Sequence, residues 1–258
     1  MERGVTPAPA PALDTDAINR LLAEAPQDAA ALLLDAARAD HAPAQAWLGQ
    51  LYLDGHGVPR DAAEALYWFQ RAAHAGVPMA MNMLGRCFDN GWGTPVDYPL
   101  AAVWYRRAAD AGLDWGVYNV AQMLFHGRGM AANRAEALRW FERAVAMGHA
   151  RAMHFLGQFH EYGWEVKADP QRAFALYRRS AEGGDYRGLC SWASVLHARG
   201  QSEEAAALLR QAIALAPAHY LGPLAAQLRA SSSPLLQAVA DEAAARQKAM
   251  NAPAHPDR

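Results

Sequence analysis

Apolar residues along this chain recur on two scales. Within short windows they fall three and four residues apart, as in Ala65, Trp68, Phe69, Ala72 and Ala73, which places them on one face of a helix. That face returns at a step of 36 residues: Ala101, Trp104, Tyr105, Ala108 and Ala109; then Ala137, Trp140, Phe141, Ala144 and Val145; then Ala173, Leu176, Tyr177, Ser180 and Ala181. A second set keeps the same step. Its first copy reads Trp47, Leu48, Gly49, Gln50, Leu51, Tyr52, and its later copies begin at Met83, Asn119 and Phe155. The apolar spacing is again helical, so each period predicts a short first helix and a second helix. A repeat of this length is one supersecondary unit copied along the chain, and such units bury their apolar faces by stacking rather than by closing a single core. The predicted fold class is all-α.

Glycine and polar positions between these faces predict how each hairpin closes. Gly49, Gly85 and Gly157, with Ala121 in the remaining copy, lie inside the first helix. Glycine there costs about 1 kcal/mol against alanine, so close approach of the second helix must compensate. A loop follows, reading Gly55-His56-Gly57-Val58, Gly91-Trp92-Gly93-Thr94, Gly127-Arg128-Gly129-Met130 and Gly163-Trp164-Glu165-Val166. Its glycines end the first helix and reverse the chain, and the residue after the second glycine slot tucks inward. Paired glycines also suggest phosphate binding, but these follow a helix, lack the P-loop lysine and occur in every copy. Asp61, Asp97, Asn133 and Asp169 are N-cap residues for the second helix, and Glu64 and Glu136 complete capping-box patterns. Pro170 takes a first helical position, and Gly76, Gly112, Gly148 and Gly184 stop the helices.

This order of Leu-Gly, aromatic, Gly-x-Gly-Val, Asp, Ala, Trp-Phe, Ala-Ala and Gly resembles the Sel-1-like repeat family, relatives of the tetratricopeptide repeat. The resemblance covers residues 42–185 as four units, and Ala121, Glu165 and Leu176 depart at single slots without moving the register. It implies a right-handed α/α superhelical solenoid used as an adaptor in protein complexes. Residues 186–218 read as a shorter, tetratricopeptide-like unit whose loop has shrunk to Arg199-Gly200-Gln201, and residues 13–41 as a worn helical pair. Terminal units of a solenoid are atypical because one face meets water. Residues 219–250 read as capping helices, the last of which either closes the open end of the core or forms a homodimer with a second copy. The Pro/Ala-rich stretches 1–12 and 251–258 are expected to be disordered.

A formal net charge of -2 over 258 residues argues against a nucleic-acid partner, which needs a basic stripe. Only Cys87 and Cys190 are present, in different slots, so no disulfide framework is expected and a reducing, cytoplasmic setting is the natural reading. The N-terminal residues lack the pattern of a secretory signal, and no apolar run has the length of a membrane span.

In solenoids of this kind the first helices line the concave side. The stripe expected there includes Asn82, Arg86, Asp89, Asn90, Tyr118, Gln122, Phe125, His126, His154, Gln158, Glu161 and Tyr162. Amides able to bond a peptide backbone, set among aromatics and Arg86, suit a protein or peptide partner. A solvated helix face is the plainer reading of the same stripe. Trp92 and Trp164, at loop tips, mark an interface if exposed, but the expectation is that they fold back over the neighbouring unit. For catalysis the candidates are weak. His154 and His160 are six residues apart, whereas a metal pair on one helix wants three or four. A hydrolase would have to draw on His126, His154 and Glu161. No cofactor, resident metal or enzymatic activity is expected, and the leading reading is an adaptor, with a dedicated chaperone or immunity partner of a secreted effector as its alternative.

Overall fold

The computed structural model describes residues 15–252, and among them are fourteen helices and no strand. The tail at residues 1–12 and most of the one at 251–258 lie outside the described residues, although Asn251 still ends a helix. The chain divides into two compact units, residues 1–133 and 134–258.

The first unit holds α1 (Thr15–Glu24), α2 (Pro26–Arg38), α3 (Ala42–Asp54), α4 (Ala62–His74), α5 (Pro78–Asn90), α6 (Tyr98–Asp110) and α7 (Asp114–His126). The second holds α8 (Arg134–Ala146), α9 (Ala150–Tyr162), α10 (Pro170–Glu182), α11 (Tyr186–Ala198), α12 (Ser202–Leu215), α13 (Ala218–Arg229) and α14 (Pro234–Asn251). Neighbouring helices pack in chain order through α1–α7 and through α8–α12, as stacked antiparallel hairpins, after which α14 rather than α13 packs on α12. The first helices begin five residues before the Trp47 motif and its copies, which occupy their C-terminal halves.

Inside a hairpin the interior glycine has the packing role expected of it. A Cβ at Gly85 would lie 2.7 Å from ring carbons of Tyr105, and one at Gly49 or Gly157 would fall equally close to Phe69 or Tyr177. These rings are almost fully buried. Around them the tryptophans add area: Trp68 and Trp104 are buried, and Arg71, Arg107 and Arg143, each three residues on, lay a guanidinium against the ring of Trp68, Trp104 or Trp140.

Between hairpins the loop does more than reverse the chain. Gly91 ends α5 in the left-handed region at φ 72°, and Gly93 follows at φ 71°. A Cβ at Gly93 would stand 2.2 Å from the Ala62 carbonyl oxygen at the start of α4, in the preceding hairpin. The second glycine of the loop therefore lets backbone touch backbone from one repeat to the next, as Gly57 does with Pro26 and Gly129 with Tyr98. Glu165 occupies the same slot at φ 56°, a left-handed non-glycine residue.

The N-caps form as expected at Asp61, Asp97 and Asp169, whose carboxylates accept from N–H groups two or three residues on. The capping box at Glu64 needs correction. The Asp61 N–H it would satisfy already donates to the Tyr52 carbonyl at 2.9 Å, closing the loop, and Asp97 and Asp169 do the same to Phe88 and His160. Glu64 instead accepts from Trp68 Nε1 at 3.2 Å.

At the C-terminal end α14 packs on α13 and α12, burying Leu236, Val239, Ala240 and Ala243 in a cluster with Leu209, Leu221 and Leu224. Arg210 pairs with Glu242 at 3.0 Å, and Arg246 donates to the Ala214 carbonyl at 2.7 Å. The last helix thus spends its apolar face closing the core of its own chain. Both cysteines are free. Among the described residues no helix is long and apolar enough to cross a membrane.

Gly93→Ala and Gly112→Ala separate the two roles of glycine. Both residues have positive φ, but nothing lies within 4 Å of a Cβ at Gly112. Gly112→Ala should cost about 1–2 kcal/mol from backbone conformation alone, and Gly93→Ala about 2–4 kcal/mol because backbone must also move. Urea unfolding of the two variants measures the difference.

Candidate binding groove

The expected stripe behaves differently in the two units. In the first, much of it is spent holding hairpins together. Asn82 on α5 is buried, and its Oδ1 accepts from Asn119 Nδ2 on α7 at 2.8 Å. Tyr118 and Gln122 on α7 are buried as well. Asp89 accepts from the Tyr105 hydroxyl at 3.2 Å and forms an ion pair with Arg128 of the following loop at 3.2 Å. Arg86 sets its guanidinium 4.9 Å from the Trp92 ring centre, and Asn90 donates to the Arg86 carbonyl at 2.8 Å. His126 Nε2 lies 3.2 Å from Gln122 Oε1, with the Phe125 ring edge-on to the imidazole. Burial, followed by the charge of Arg128, holds His126 below its ordinary pKa. Arg86, Asn90 and His126 remain exposed, but Asn82, Tyr118 and Gln122 line a seam rather than open water.

The loop tryptophans fold back, but Trp92 over its own repeat and Trp164 over its own as well as the preceding one, rather than over the neighbouring unit alone. Trp92 is half-buried beneath Arg86. Trp164 is half-buried between the rings of Phe159 and Tyr162, with the Arg134 guanidinium 5.3 Å from its centre.

In the second unit His154, Gln158, Glu161 and Tyr162, all on α9, border a recess completed by α11 and α13. Two adjoining cavities of about 700 and 430 Å³ share Tyr162, Ser191, Ser194 and Gln227 in their walls. Tyr162 is exposed to 58% while bordering both, an amphipathic ring held at a rim. The α11 and α13 contributions were missed in the stripe, yet the signal was present. Cys190, Ser194 and His197 stand one step of 36 after His154, Gln158 and Glu161, because α11 keeps the register of the earlier first helices. Tyr220, Gln227 and Ser231 follow the last recognisable repeat, where no period could place them.

The titratable groups of this recess are mostly neutral. His154 is buried, and burial first, then the charge of Arg187, pushes its pKa down to about 3. Its Nδ1 lies 3.3 Å from the Ser191 hydroxyl. An imidazole this weakly basic is a poor general base for that hydroxyl. Burial likewise pushes the Cys190 thiol up to about 11, and Tyr220 hydrogen-bonds it. Glu161 accepts from the buried Tyr177 hydroxyl at 2.5 Å, repeating the Asp89–Tyr105 contact of α5 and α6. His160 is the packed histidine its slot foretells: it is buried, lowered in pKa mainly by desolvation, and hydrogen-bonds nothing through its ring. Among the described residues no three His, Cys, Asp or Glu side chains gather as a metal site.

The Sel1 repeat family model matches residues 42–77, 78–113, 116–149 and 150–185, more than half of the chain. The chain belongs to the Sel1 repeat family. Sel1 repeats generally serve as scaffolds for protein interactions. Among solved structures, a Sel1 repeat protein from Oxalobacter formigenes is 23% identical with a TM-score of 0.73, over 92% of this chain and 99% of that one. The protective antigen c5321 of uropathogenic Escherichia coli is 23% identical with a TM-score of 0.61, over 88% of this chain and 50% of that one. The immunity protein Pa5087 of Pseudomonas aeruginosa is 16% identical with a TM-score of 0.55, over 74% of this chain and 75% of that one. These likenesses establish a shared all-α solenoid fold. A search of curated proteins found no match.

Two outcomes follow for the Sel1 array. Glu161→Leu leaves the Tyr177 hydroxyl without its acceptor and should destabilise by about 1–3 kcal/mol, whereas adding Tyr177→Phe should recover most of it, since removing both partners is nearly neutral. A double-mutant cycle in urea checks this. For His154 the folded pKa lies below the unfolded one, so the unfolded chain binds more protons as pH falls. Stability should be complete above about 6.5 and drop by up to about 1.4 kcal/mol per pH unit on the way down to about 3. His154→Asn, the residue at the α5 copy of this slot, should remove that part of the acid slope in melts from pH 7 to pH 4.

Proposed function

We propose that this chain is a protein-interaction scaffold that holds an extended segment of its partner in the recess of α9, α11 and α13. The observation that carries this reading is the pair of adjoining cavities sharing Tyr162, Ser191, Ser194 and Gln227, where amides and hydroxyls able to bond a peptide backbone alternate with apolar wall. Some of the corresponding polar side chains of α5 are taken up elsewhere, Asn82 by Asn119 of α7 and Asp89 by Arg128 of the loop after α7. The Sel1 family supports binding rather than catalysis, and the weak basicity of His154 points the same way.

A narrower version makes the chain the dedicated partner of one effector. It is favoured by the immunity proteins of Pseudomonas aeruginosa that share the fold, at 16–17% identity. One stoichiometric partner encoded beside this gene would support it, and several unrelated partners would support a general adaptor.

The test is affinity capture of the tagged chain under native expression, followed by binding measurements with the purified partner. Tyr162→Ala combined with Gln227→Ala should weaken binding at least about tenfold while helicity is kept, as expected for an aromatic anchor and its amide neighbour. Tyr67→Ala, at an exposed aromatic of α4, should leave it unchanged. Unchanged affinity in the Tyr162/Gln227 variant would reject the recess as the partner site.

A further inference from the structure

The larger cavity is electrostatically one-sided. Among the described residues that line it, Arg187 is the one permanently charged side chain, and no Asp or Glu stands with it. The guanidinium lies 4.5 Å from the Tyr186 ring centre, and its Nη1 is shielded from water and has no hydrogen-bond partner. The acid nearest in sequence, Asp185, is paired with another guanidinium, although its Oδ1 accepts no hydrogen bond. Asp185 Oδ2 accepts from the Gly188 N–H at 3.0 Å, and Oδ1 lies 3.5 Å from Arg151 Nε. Around Arg187 the cavity presents neutral groups, among them the Ser191 and Tyr220 hydroxyls, and an apolar wall that includes Leu224 and Leu228.

A guanidinium that lines a cavity with no carboxylate in its wall can pair there with an arriving anion. The planar fork of a guanidinium matches a carboxylate in shape as well as charge. Resting on the partner-binding reading of this recess, we infer that the cavity receives a carboxylate of the bound peptide segment, seated on Arg187 beside the Ser191 and Tyr220 hydroxyls, with an adjoining aliphatic group against Leu224 and Leu228. A free chain end and an internal Asp or Glu side chain offer the same chemistry.

Three small probes differing in charge and its position test this on the full chain: N-acetylleucine, N-acetylleucinamide and the α-amide of N-acetylaspartate. Titrations are followed by ¹H–¹⁵N NMR at the Arg187 Nε–H and the Ser191 amide. N-acetylleucine should saturate on the order of millimolar, as a ligand of few atoms does, and bind at least about tenfold tighter than its amide. The aspartate derivative matching or exceeding it assigns the site to an internal acid, and its failing to do so assigns the site to a chain end. Arg187→Gln should abolish the preference for the acid. Should that variant not fold, Arg187→Lys carries the test, and the preference must fall at least about threefold. Equal binding of acid and amide, no binding of either, or a preference untouched by substitution at Arg187 overturns the inference. Loss of the preference with partner capture still dependent on Tyr162 and Gln227 removes the carboxylate site alone. A retained preference with capture indifferent to Tyr162 and Gln227 removes the partner reading alone.

Discussion

The constraint on which this chain is built is the close approach of two helices over a missing side chain. Where a Cβ would stand at Gly49, Gly85 or Gly157, an aromatic ring of the second helix stands instead. The ring needs that space because Phe69, Tyr105 and Tyr177 are among the most deeply buried side chains, and their burial drives each hairpin together. The chemistry of the ring then reaches outward. A tyrosine delivers a hydroxyl to the first helix four residues beyond the glycine, and there the chain has an acid, Asp89 or Glu161. Where the second helix carries phenylalanine, at Phe69 and Phe141, that slot is Leu53 or Phe125. One row of the supposed ligand-binding stripe is thus set by what the core ring needs.

The same economy joins hairpin to hairpin. Backbone at the second loop glycine touches backbone at the start of the preceding second helix, so the step from repeat to repeat is fixed by atoms every residue possesses. The N-cap aspartates reinforce it in two directions: the carboxylate holds the start of its own helix while the N–H reaches back to the first helix. That second bond explains why Glu64 is freed to meet the Trp68 indole. A capping box is a local motif, and here a loop-closing contact had already used its donor.

Most of the fold was legible because it is periodic. Helix order, helix ends at glycine, N-caps and the ring-over-glycine contact all repeat, and repetition turns a weak local signal into a strong one. The site was legible only in part. His154, Gln158, Glu161 and Tyr162 line a recess in the structure, whereas the stripe reading named no recess and treated every first-helix polar residue alike. Burial of Asn82 depends on Asn119 in the next repeat, and the fate of Asp89 on Arg128 in a loop, and neither pairing is visible in a single period. Cys190, Ser194 and His197 were within reach of the 36-residue step, and only the shortened loop at Gly200 hid that α11 continues the row.

That shortened loop also accounts for where a recess can exist. In the uniform part of the array a polar side chain on one first helix can be taken up by the next, as Asn82 is by Asn119. After α12 the pattern stops, and α13 and α14 supply side chains that no earlier repeat anticipated. Residues on α9 and α11 therefore face Tyr220, Gln227 and Leu228 in place of a further copy of their own row, and the mismatch leaves open volume. Arg187 follows the same logic. Arg151, one repeat earlier at the same slot, sits against Asp185, whereas the loop after α12 ends in Ala216 and Pro217 and offers no acid in return. The broken period leaves Arg187 in a cavity wall that holds no carboxylate.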